Sequence, residues 1–323
     1  MSRFLLAVQL GSVLCCLSVP VLPAQEHNPQ LQDRFIHGVK QSWEKLQHIS
    51  FRARCTYTGS DSASGKVETR EYEIGIRGPN GLQTGVRDGV SFVQARNDAY
   101  AFMLHRSAAG TSLQFVERIG VDASIDARIA AIEEQPRAMA LAAYYLWTEP
   151  LAHVLRRDAF EIERVHALRT EDHEFVRVEF NYAIDDPSQK VHDRFSDGYL
   201  VCDPARHWIV NEYGATFLNL NDNATGLLRT VLEHGDAIGE MPVATRISQS
   251  MVRRDVNHTS ESVITLEVID RDLREEELYL SHYGLPEPDF GRSWFRTWGW
   301  YLIVGIACIA IGVILIRRGQ VAR

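Results

Sequence analysis

The amino-acid sequence predicts an α+β fold that is mainly β, with one large, strongly curved antiparallel sheet whose apolar face is covered by helices. Apolar and polar residues alternate in many short segments, separated by polar turns at intervals of roughly ten residues, which is typical of consecutive antiparallel hairpins. Two other segments have helical spacing or composition and would cover the sheet. A closed barrel and a two-sheet sandwich remain alternative arrangements of the same strands.

The first predicted element is an amphipathic helix over residues 30–47. A helix with one apolar stripe has to bury that stripe against another element, so we expect this helix to pack on the sheet. The apolar side chains that recur at helical spacing are Leu31, Phe35, Val39, Trp43 and Leu46.

Strands dominate after this helix. Residues 51–57 alternate between apolar and polar side chains, and residues 72–76 do the same after a turn rich in Gly, Ser and Asp. The sequence Gly78-Pro79-Asn80-Gly81 is a strong turn signal. Further strands are predicted around residues 91–94, 100–105, 113–118, 160, 176–182, 198–201, 208–213, 227–233, 243–250 and 264–268.

A helical insertion over residues 124–155 interrupts the strands, with breaks at Pro136 and Pro150. It is rich in apolar and aromatic side chains, which suit the wall of a cavity for a lipid tail. The alternative is that they simply fill the concave face of the sheet, because apolar residues at helical spacing are usually core. The candidate ligand-cavity residues are Met139, Tyr144, Tyr145 and Trp147.

The N-terminus has the features of a secretory signal peptide. Arg3 gives a basic start, an apolar run extends from Phe4 to Leu22, and Pro23-Ala24 precedes a polar segment. We expect cleavage after Ala24; the alternative is a retained N-terminal helix.

The C-terminus predicts one transmembrane helix. Residues 298–316 carry no charge, and at about 1.5 Å per residue they span roughly 29 Å, the thickness of a hydrocarbon core. Trp294, Trp298 and Tyr301 lie at one end, where amphipathic rings favour the membrane interface, and basic residues follow the other end, which suits a cytoplasmic tail.

These two ends divide the chain into five predicted parts. They predict a single-pass protein of the cell membrane, with its N-terminal domain extracytoplasmic (periplasmic) and its C-terminus cytoplasmic. The parts are a signal peptide (1–24), an extracytoplasmic β-rich domain (25–290), a juxtamembrane segment (291–297), a transmembrane helix (298–316) and a cytoplasmic tail (317–323).

The charge and the cysteine content limit which partners and which redox chemistry can be expected. The net charge of -8 is ordinary for this length, and no basic stripe occurs outside the membrane flank, so we expect no nucleic-acid partner. The predicted extracytoplasmic domain contains two cysteines, Cys55 and Cys202. In an oxidising compartment they either pair as a disulfide or remain two separate buried thiols, and the sequence favours neither.

No motif in the sequence indicates catalysis, a metal site or a cofactor. The metalloprotease, Cys-x-x-Cys, nucleophile-elbow and phosphate-loop patterns are all missing. Asn219-x-Asn221-x-Asn223 begins like a calcium loop but lacks the later glycine and acidic ligand, so a hairpin turn is the better interpretation. Asp185-Asp186-Pro187 and Asp203-Pro204 also indicate turns. We therefore expect a protein that is not an enzyme.

Three short segments carry a resemblance to a known fold. They are residues 280–288 (Leu-Ser-His-Tyr-Gly-Leu-Pro-Glu-Pro), residues 198–204 (Gly-Tyr-Leu-Val-Cys-Asp-Pro), and Trp208-Ile209-Val210, together with a leading helix that contains Trp43. In these the chain resembles uncharacterised exported proteins of planctomycete-type bacteria. Those proteins are similar in turn to the periplasmic lipoprotein-carrier fold of outer-membrane lipoprotein-sorting proteins.

The resemblance implies an open antiparallel half-barrel with helices over its apolar concave side, spanning about residues 30–285. A soluble carrier shuttles, whereas this chain has a predicted tether, and no residue here matches a carrier's functional site. In addition, Pro286-Glu287-Pro288, a membrane helix and then Arg317-Arg318 resemble the C-terminal sorting signal read by exosortases. In that signal the motif usually abuts the helix, whereas here about nine residues intervene.

Three classes of function remain open. The first is a membrane-anchored module that binds a lipid or an acylated protein, and the second is a structural or interaction protein of the cell envelope. The third is an envelope sensor, which would need a membrane partner because the predicted tail is too short for a signalling domain. A deep apolar cavity would favour the first class, and a filled core would favour the second.

Overall fold

The computed structural model of the chain describes residues 27–62, 64–87, 89–120, 136–170, 173–186, 191–219, 223–254, 258–270 and 272–290. The predicted signal peptide (1–24), the predicted membrane helix (298–316) and the predicted tail (317–323) lie outside these residues. Among the helices that the structure does describe, none has the length and apolarity needed to cross a bilayer.

The described chain is mainly β, and its dominant feature is one antiparallel sheet of thirteen strands with few helices. Two further short strands, β7 and β8, form a separate hairpin. The strands in chain order are β1 (Ser50–Asp61), β2 (Lys66–Arg77), β3 (Asn80–Arg87), β4 (Val90–Arg96), β5 (Tyr100–Ser107), β6 (Gly110–Arg118), β7 (Tyr145–Leu146), β8 (Glu149–Pro150), β9 (Phe160–Arg169), β10 (Glu174–Asp186), β11 (Val191–Asp203), β12 (Ile209–Asn219), β13 (Ala224–Ile238), β14 (Met241–Arg253) and β15 (His258–Asp270).

The sheet is a meander in which the last strand returns to the first. Its order is β6-β5-β4-β3-β2-β1-β15-β14-β13-β12-β11-β10-β9. The β1–β15 ladder runs from the Arg52–Asp270 pair to the Asp61–Ser260 pair. As a result β1 and β15 lie inside the sheet, while β6 and β9 form its two edges.

Helix α1 (Pro29–Leu46) matches the helix predicted over residues 30–47. It begins where the side chain of Asn28 accepts a hydrogen bond from the Leu31 amide, with proline in the first turn, both of which favour a helix start. Its apolar stripe is buried, as the periodicity predicted. The buried apolar side chains of this stripe are Leu31, Phe35, Val39 and Leu46.

Helix α1 is held on the sheet by a close contact at Gly38. A Cβ at this position would lie 1.9 Å from the indole nitrogen of Trp208, so only glycine fits. Trp208 and the preceding His207 both have left-handed backbone conformations (φ 57° and 58°), which turn the indole towards the helix. Ser42 donates a hydrogen bond of 2.6 Å to the His207 carbonyl. We call the face of the sheet that carries α1 the α1 face.

The chain between β6 and β9 has to pass from one edge of the sheet to the other. Its described part, residues 136–159, lies on the α1 face and belongs to the main apolar cluster with α1. The sequence predicted helix over 124–155, but here the chain is broken into short pieces, because Trp147 is left-handed (φ 57°) and Pro150 precedes the next turn of helix. The pieces are helical residues 136–140, a 3-10 turn (Ala142–Tyr144), the β7–β8 hairpin and helix α2 (Leu151–Val154).

On the opposite face of the sheet, residues 272–290, which we call the strap, lie over strands β1 to β5. Leu273 and two leucines of its 3-10 turns, Glu275–Leu278 and Leu280–Tyr283, form a second apolar cluster with side chains of β3, β4 and β5. Glu277 accepts hydrogen bonds from Arg52 of β1 and from Arg274 of the strap itself. The strap therefore fixes the C-terminal end of the described chain to the sheet.

We expect Gly38→Ala to destabilise the protein. Alanine favours a helix interior over glycine by about 1 kcal/mol. The added methyl group, however, would overlap the Trp208 indole, and overpacking of this kind typically costs about 1–3 kcal/mol. Urea denaturation followed by circular dichroism should show a net loss in the free energy of unfolding. Gln41→Ala, on the exposed side of the same helix, is the control, and equal stability of the two variants would contradict the contact.

Candidate functional site

The sheet splits between β14 and β15. Their ladder starts at the Arg253–His258 pair and ends at the Arg246–Thr265 pair. Beyond that point residues 241–245 stay paired with β13, and residues 266–270 stay paired with β1, but the two segments do not pair with each other. We call this opening, formed by residues 241–245 and 266–270, the fork.

Bulges on both sides of the split explain why the two strands diverge. The β13–β14 register shifts at Glu233 and His234, and the β1–β15 register shifts at Arg52. Bulges bend a strand and increase its twist, so a bulge on each flank turns the two strands apart. Gly235 permits the bulge in β13, because a Cβ there would lie 2.4 Å from the methyl group of Thr245.

A groove of about 740 Å³ fills the fork. This volume lies within the usual range of ligand sites, about 300–1,000 Å³. Val268 and Ile269 are 38% and 40% exposed, which is unusual for large apolar side chains in a sheet. The groove is lined by Asp236, Ala237, Ile238, Val243, Thr245, Leu266, Glu267, Val268, Ile269 and Asp270.

The floor of the groove is continuous with the main apolar cluster. Ile238, Val243 and Leu266 line the groove and are also buried members of that cluster. Just behind them, the Tyr144 hydroxyl donates a hydrogen bond of 3.2 Å to the carbonyl of Pro242 in β14. The fork therefore opens from solvent directly onto the apolar interior of the α1 face.

Carboxylates give the rim of the groove a negative charge. Asp236, Glu267 and Asp270 all line it, and Glu267 has an exposed ion pair with Arg54 at 3.4 Å. A surface pair of this kind contributes little to stability and leaves the carboxylate accessible. The site thus combines an apolar floor with an acidic rim.

The end of α1 is tied to the β13–β14 turn beside the fork. Lys45 donates a hydrogen bond of 2.8 Å to Glu240, and this bond, with the positive charge of Lys45, lowers the pKa of the Glu240 carboxyl.

His234 lies next to the bulge in β13. Burial lowers the pKa of His234 to about 4, and the charge of Arg206 acts in the same direction.

The four residues predicted as a cavity wall lie together on the α1 face, inside or against the main cluster. Met139, Tyr144 and Tyr145 are buried, and Met139 approaches the thiol of Cys55 at 3.8 Å between sulfurs. Burial raises the pKa of the Tyr144 hydroxyl above its usual range. The ring of Tyr145 meets Trp43 of α1 edge to face at 5.9 Å. Together these side chains fill part of the α1 face.

Trp147 differs from the other three because it is only partly buried and its backbone is left-handed. Its ring stacks on Phe195, with centroids 4.0 Å apart, and lies 6.1 Å from Tyr182. Its buried indole N–H finds no acceptor among the described residues. A left-handed tryptophan with an unsatisfied donor indicates local strain in the crossing segment.

Cys55 and Cys202 are free, buried thiols in this structure. Cys55 lies in β1 and Cys202 in β11, and four strands separate these two in the sheet. Burial raises the pKa of the Cys55 thiol to about 12 and also raises that of Cys202. Buried thiols with raised pKa values are poor nucleophiles, so neither has the properties of a catalytic cysteine.

Two of the polar motifs noted in the sequence lie at turns, whereas Asp185 and Asp186, also predicted as a turn, are the last residues of β10 and pair with β11. Asp203 caps the 3-10 turn Pro204–Arg206 by accepting from the Ala205 and Arg206 amides, and Asn219 pairs with Ala224 to close the β12–β13 hairpin. Across the described ranges, no group of three or more His, Cys, Asp or Glu is arranged to hold a metal ion. The side chains of residues 185–192 are outside the description.

No protein-family model and no curated protein matches this chain. Among solved structures, it is similar to a putative outer membrane lipoprotein-sorting protein domain from Vibrio parahaemolyticus, with 11% identity, 77% of this chain and 98% of that chain covered, and a TM-score of 0.39. It is also similar to a DUF1329 family protein from Desulfovibrio piger, with 10% identity, 78% of this chain and 98% of that chain covered, and a TM-score of 0.38. A LolA superfamily protein from Nitrosomonas europaea has 10% identity, with 76% of this chain and 98% of that chain covered, and a TM-score of 0.39. The structural neighbours thus include lipoprotein-sorting domains.

The low pKa of His234 predicts that stability falls in mild acid. An unfolded histidine binds a proton near pH 6.5, whereas folded His234 does so only near pH 4, so between these values protons favour the unfolded chain. The stability contributed by neutral His234 is therefore present above pH 6.5 and lost as pH falls towards 4. Burial shifts the pKa values of His153 and His166 in the same direction.

Urea denaturation at pH 7.5 and pH 5 measures this effect. We expect a lower free energy of unfolding at pH 5, and a smaller difference between the two pH values in His234→Gln. His37→Gln, at an exposed position of α1, is the control and should keep the full difference. If His234→Gln also kept the full difference in the free energy of unfolding between pH 7.5 and pH 5, the effect would not come from His234.

Proposed function

We propose that this chain is a membrane-anchored extracytoplasmic domain that binds a lipid or an acylated protein and catalyses no reaction. The observation that supports this most directly is the fork. It is a groove of about 740 Å³ whose floor belongs to the main apolar cluster. An acyl chain entering there moves from water into apolar surroundings, which stabilises the complex by about 0.8 kcal/mol for each buried methylene.

In this proposal the four predicted residues form the inner wall of the site. Tyr144 lies beside the fork, where its hydroxyl contacts Pro242, and Met139 extends the apolar surface towards β1 through Cys55. Tyr145 and Trp147 continue the wall towards β11 and β12. Methionine and aromatic side chains repack easily around a flexible ligand, and this composition therefore suits a tail of variable length. The curvature of an open half-barrel would give the sheet the matching concave shape.

The proposed anchor is the predicted helix at residues 298–316. The strap ends at Phe290, whose ring contacts Tyr100 of β5 at 6.0 Å, so the described chain stays attached to the sheet until shortly before this helix. Only residues 291–297 would separate the domain from the bilayer. A domain held so close to a membrane meets lipids and acylated proteins at high effective concentration.

A second candidate is a structural or interaction protein of the envelope. The observation that favours it is the filled α1 face, where Phe35, Phe51, Tyr145 and Phe180 are almost fully buried. A face whose large apolar side chains are already buried against one another needs no ligand to be stable. An envelope sensor that acts through a membrane partner is the third candidate.

A fluorescent fatty acid tests the lipid-binding proposal. We expect residues 25–290 to bind a dansylated fatty acid saturably, with emission shifted to the blue. Val268→Asp should lower its affinity about tenfold, because it places a charge in the apolar lining of the groove. Val67→Asp is the matched control, since Val67 is 69% exposed and lies on β2, away from the groove. Absence of binding by the parent protein would leave the structural candidate.

Trp147→Ala shows how far the tail reaches. Removing this stacked but only partly buried tryptophan should lower the free energy of unfolding, by less than the about 3–5 kcal/mol typical of a fully buried one, whether or not a ligand contacts it. If the indole is part of the wall, as we propose, the affinity of the folded protein for the probe falls as well. Unchanged affinity would confine the ligand to the fork.

Deleting residues 292–323 tests the anchor. In the proposal the truncated protein is released into the periplasm or the medium, because the deleted residues include the predicted membrane helix. Fractionation and immunoblotting after expression measure this, with the full chain as the reference. A truncated protein that still sediments with membranes would overturn the single anchor.

A further inference from the structure

The fork leaves strand edges without partners inside the sheet. Among the residues that the structure describes, no strand lies beside the edge of β15 at residues 266–270 that would continue the β14–β15 ladder, although its other edge pairs with β1. An unpaired edge offers a row of backbone N–H and C=O groups, which is the template to which another strand can add. Pro242 makes the facing segment of β14 the weaker template, because proline has no N–H to donate.

The side chains along this edge alternate in character. Leu266 and Val268 lie opposite Cys55 and Ala53 of β1, so they are on the α1 face, while Glu267 lies opposite Arg54 on the other face. A strand added here would place alternate side chains on the two faces. One set would meet the apolar floor of the groove, and the other would meet the acidic rim.

We infer that the fork binds an extended segment of polypeptide by strand addition to residues 266–270, and that the segment alternates apolar with basic residues. The inference rests on the proposed function, whose groove it uses, and deepens it by assigning a polypeptide main chain as part of the ligand. Charge complementarity selects the basic residues, since Asp236, Glu267 and Asp270 are all acidic and all line the groove.

A lipid tail alone matches the fork less well than a peptide does. An acyl chain lying against residues 266–270 would shield their free backbone groups from water without offering hydrogen bonds, and such shielding costs free energy. The acidic rim also repels the phosphate groups of most lipids. An extended peptide satisfies the backbone groups, and its basic side chains complement the rim.

Binding of a designed peptide to the full chain tests this inference. The probe is a fluorescent hexapeptide of alternating valine and lysine, and the protein is held in nanodiscs of phosphatidylcholine, with empty nanodiscs as the blank. We expect saturable binding that weakens as salt is added, because screening reduces the attraction to the rim. The corresponding valine–glutamate peptide should not bind.

Charge reversal locates the site. Glu267→Lys combined with Asp270→Lys should lower the affinity for the valine–lysine peptide at least tenfold and create binding of the valine–glutamate peptide. The matched control is Asp158→Lys with Glu161→Lys, which changes the net charge equally at exposed positions beside and within β9. Equal loss in both double variants would overturn the fork as the site and indicate attraction to the whole protein.

N-methylation of the peptide tests strand addition without changing the protein. Methyl groups on alternate backbone nitrogens remove the donors that a strand needs and keep every side chain, so binding should be lost. If the methylated peptide bound as tightly as the parent peptide, strand addition would be wrong. Binding of the fatty acid without any binding of the peptide would overturn this inference and leave the proposed function. Binding of the peptide without binding of the fatty acid would support strand addition and overturn the proposal that the fork binds a lipid.

Discussion

The pairing of β1 with β15 is the constraint on which the rest of this structure depends. It brings the first and last strands together inside the sheet and leaves β6 and β9 at opposite edges. Because β6 and β9 follow one another along the chain among the strands of the main sheet, the chain between them has to cross a face. Residues 136–159 do so on the α1 face, where crossing backbone and side chains are buried together with α1. The filled face is therefore a consequence of topology as much as of composition.

The same central pairing also explains where the sheet can open. β15 is held along β1 to the Arg52–Asp270 pair, whereas β14 follows β13 through its bulges towards the β13–β14 turn. β15 therefore stays paired with β1, and β14 stays paired with β13. The ladder between β14 and β15 stops at the Arg246–Thr265 pair. A split at this position costs few hydrogen bonds and exposes edges that lie beside the main cluster.

Much of the fold could be predicted from periodicity, because α1 and most strands bury one face and so repeat at 3.6 or 2 residues. In the main sheet the exception is β3, where Gly81, Gln83 and Gly85 interrupt the apolar alternation and the neighbouring strands β2 and β4 impose the strand. The insertion was predicted as helix from composition, but the described part is broken where Trp147 and Pro150 redirect the chain. The fork was missed, because it follows from the registers of several strands; Gly235 and Pro242 were its only local signals.

A filled face and a ligand-binding face are compatible if the filling can move at modest cost. The crossing segment has two features that lower this cost: the left-handed backbone of Trp147, a conformation worth roughly 1–3 kcal/mol of strain, and its indole N–H without an acceptor among the described residues. A ligand that displaces this segment must replace the contacts that are lost, at about 0.8 kcal/mol for each methylene buried. A small ligand buries too few methylenes to replace these contacts, whereas a long acyl chain buries enough. A peptide held by backbone hydrogen bonds at residues 266–270 would not need to displace the segment at all. If both proposals hold, the depth of the site would depend on the kind of ligand: an acyl tail would reach the crossing segment, and an extended peptide would stay in the fork.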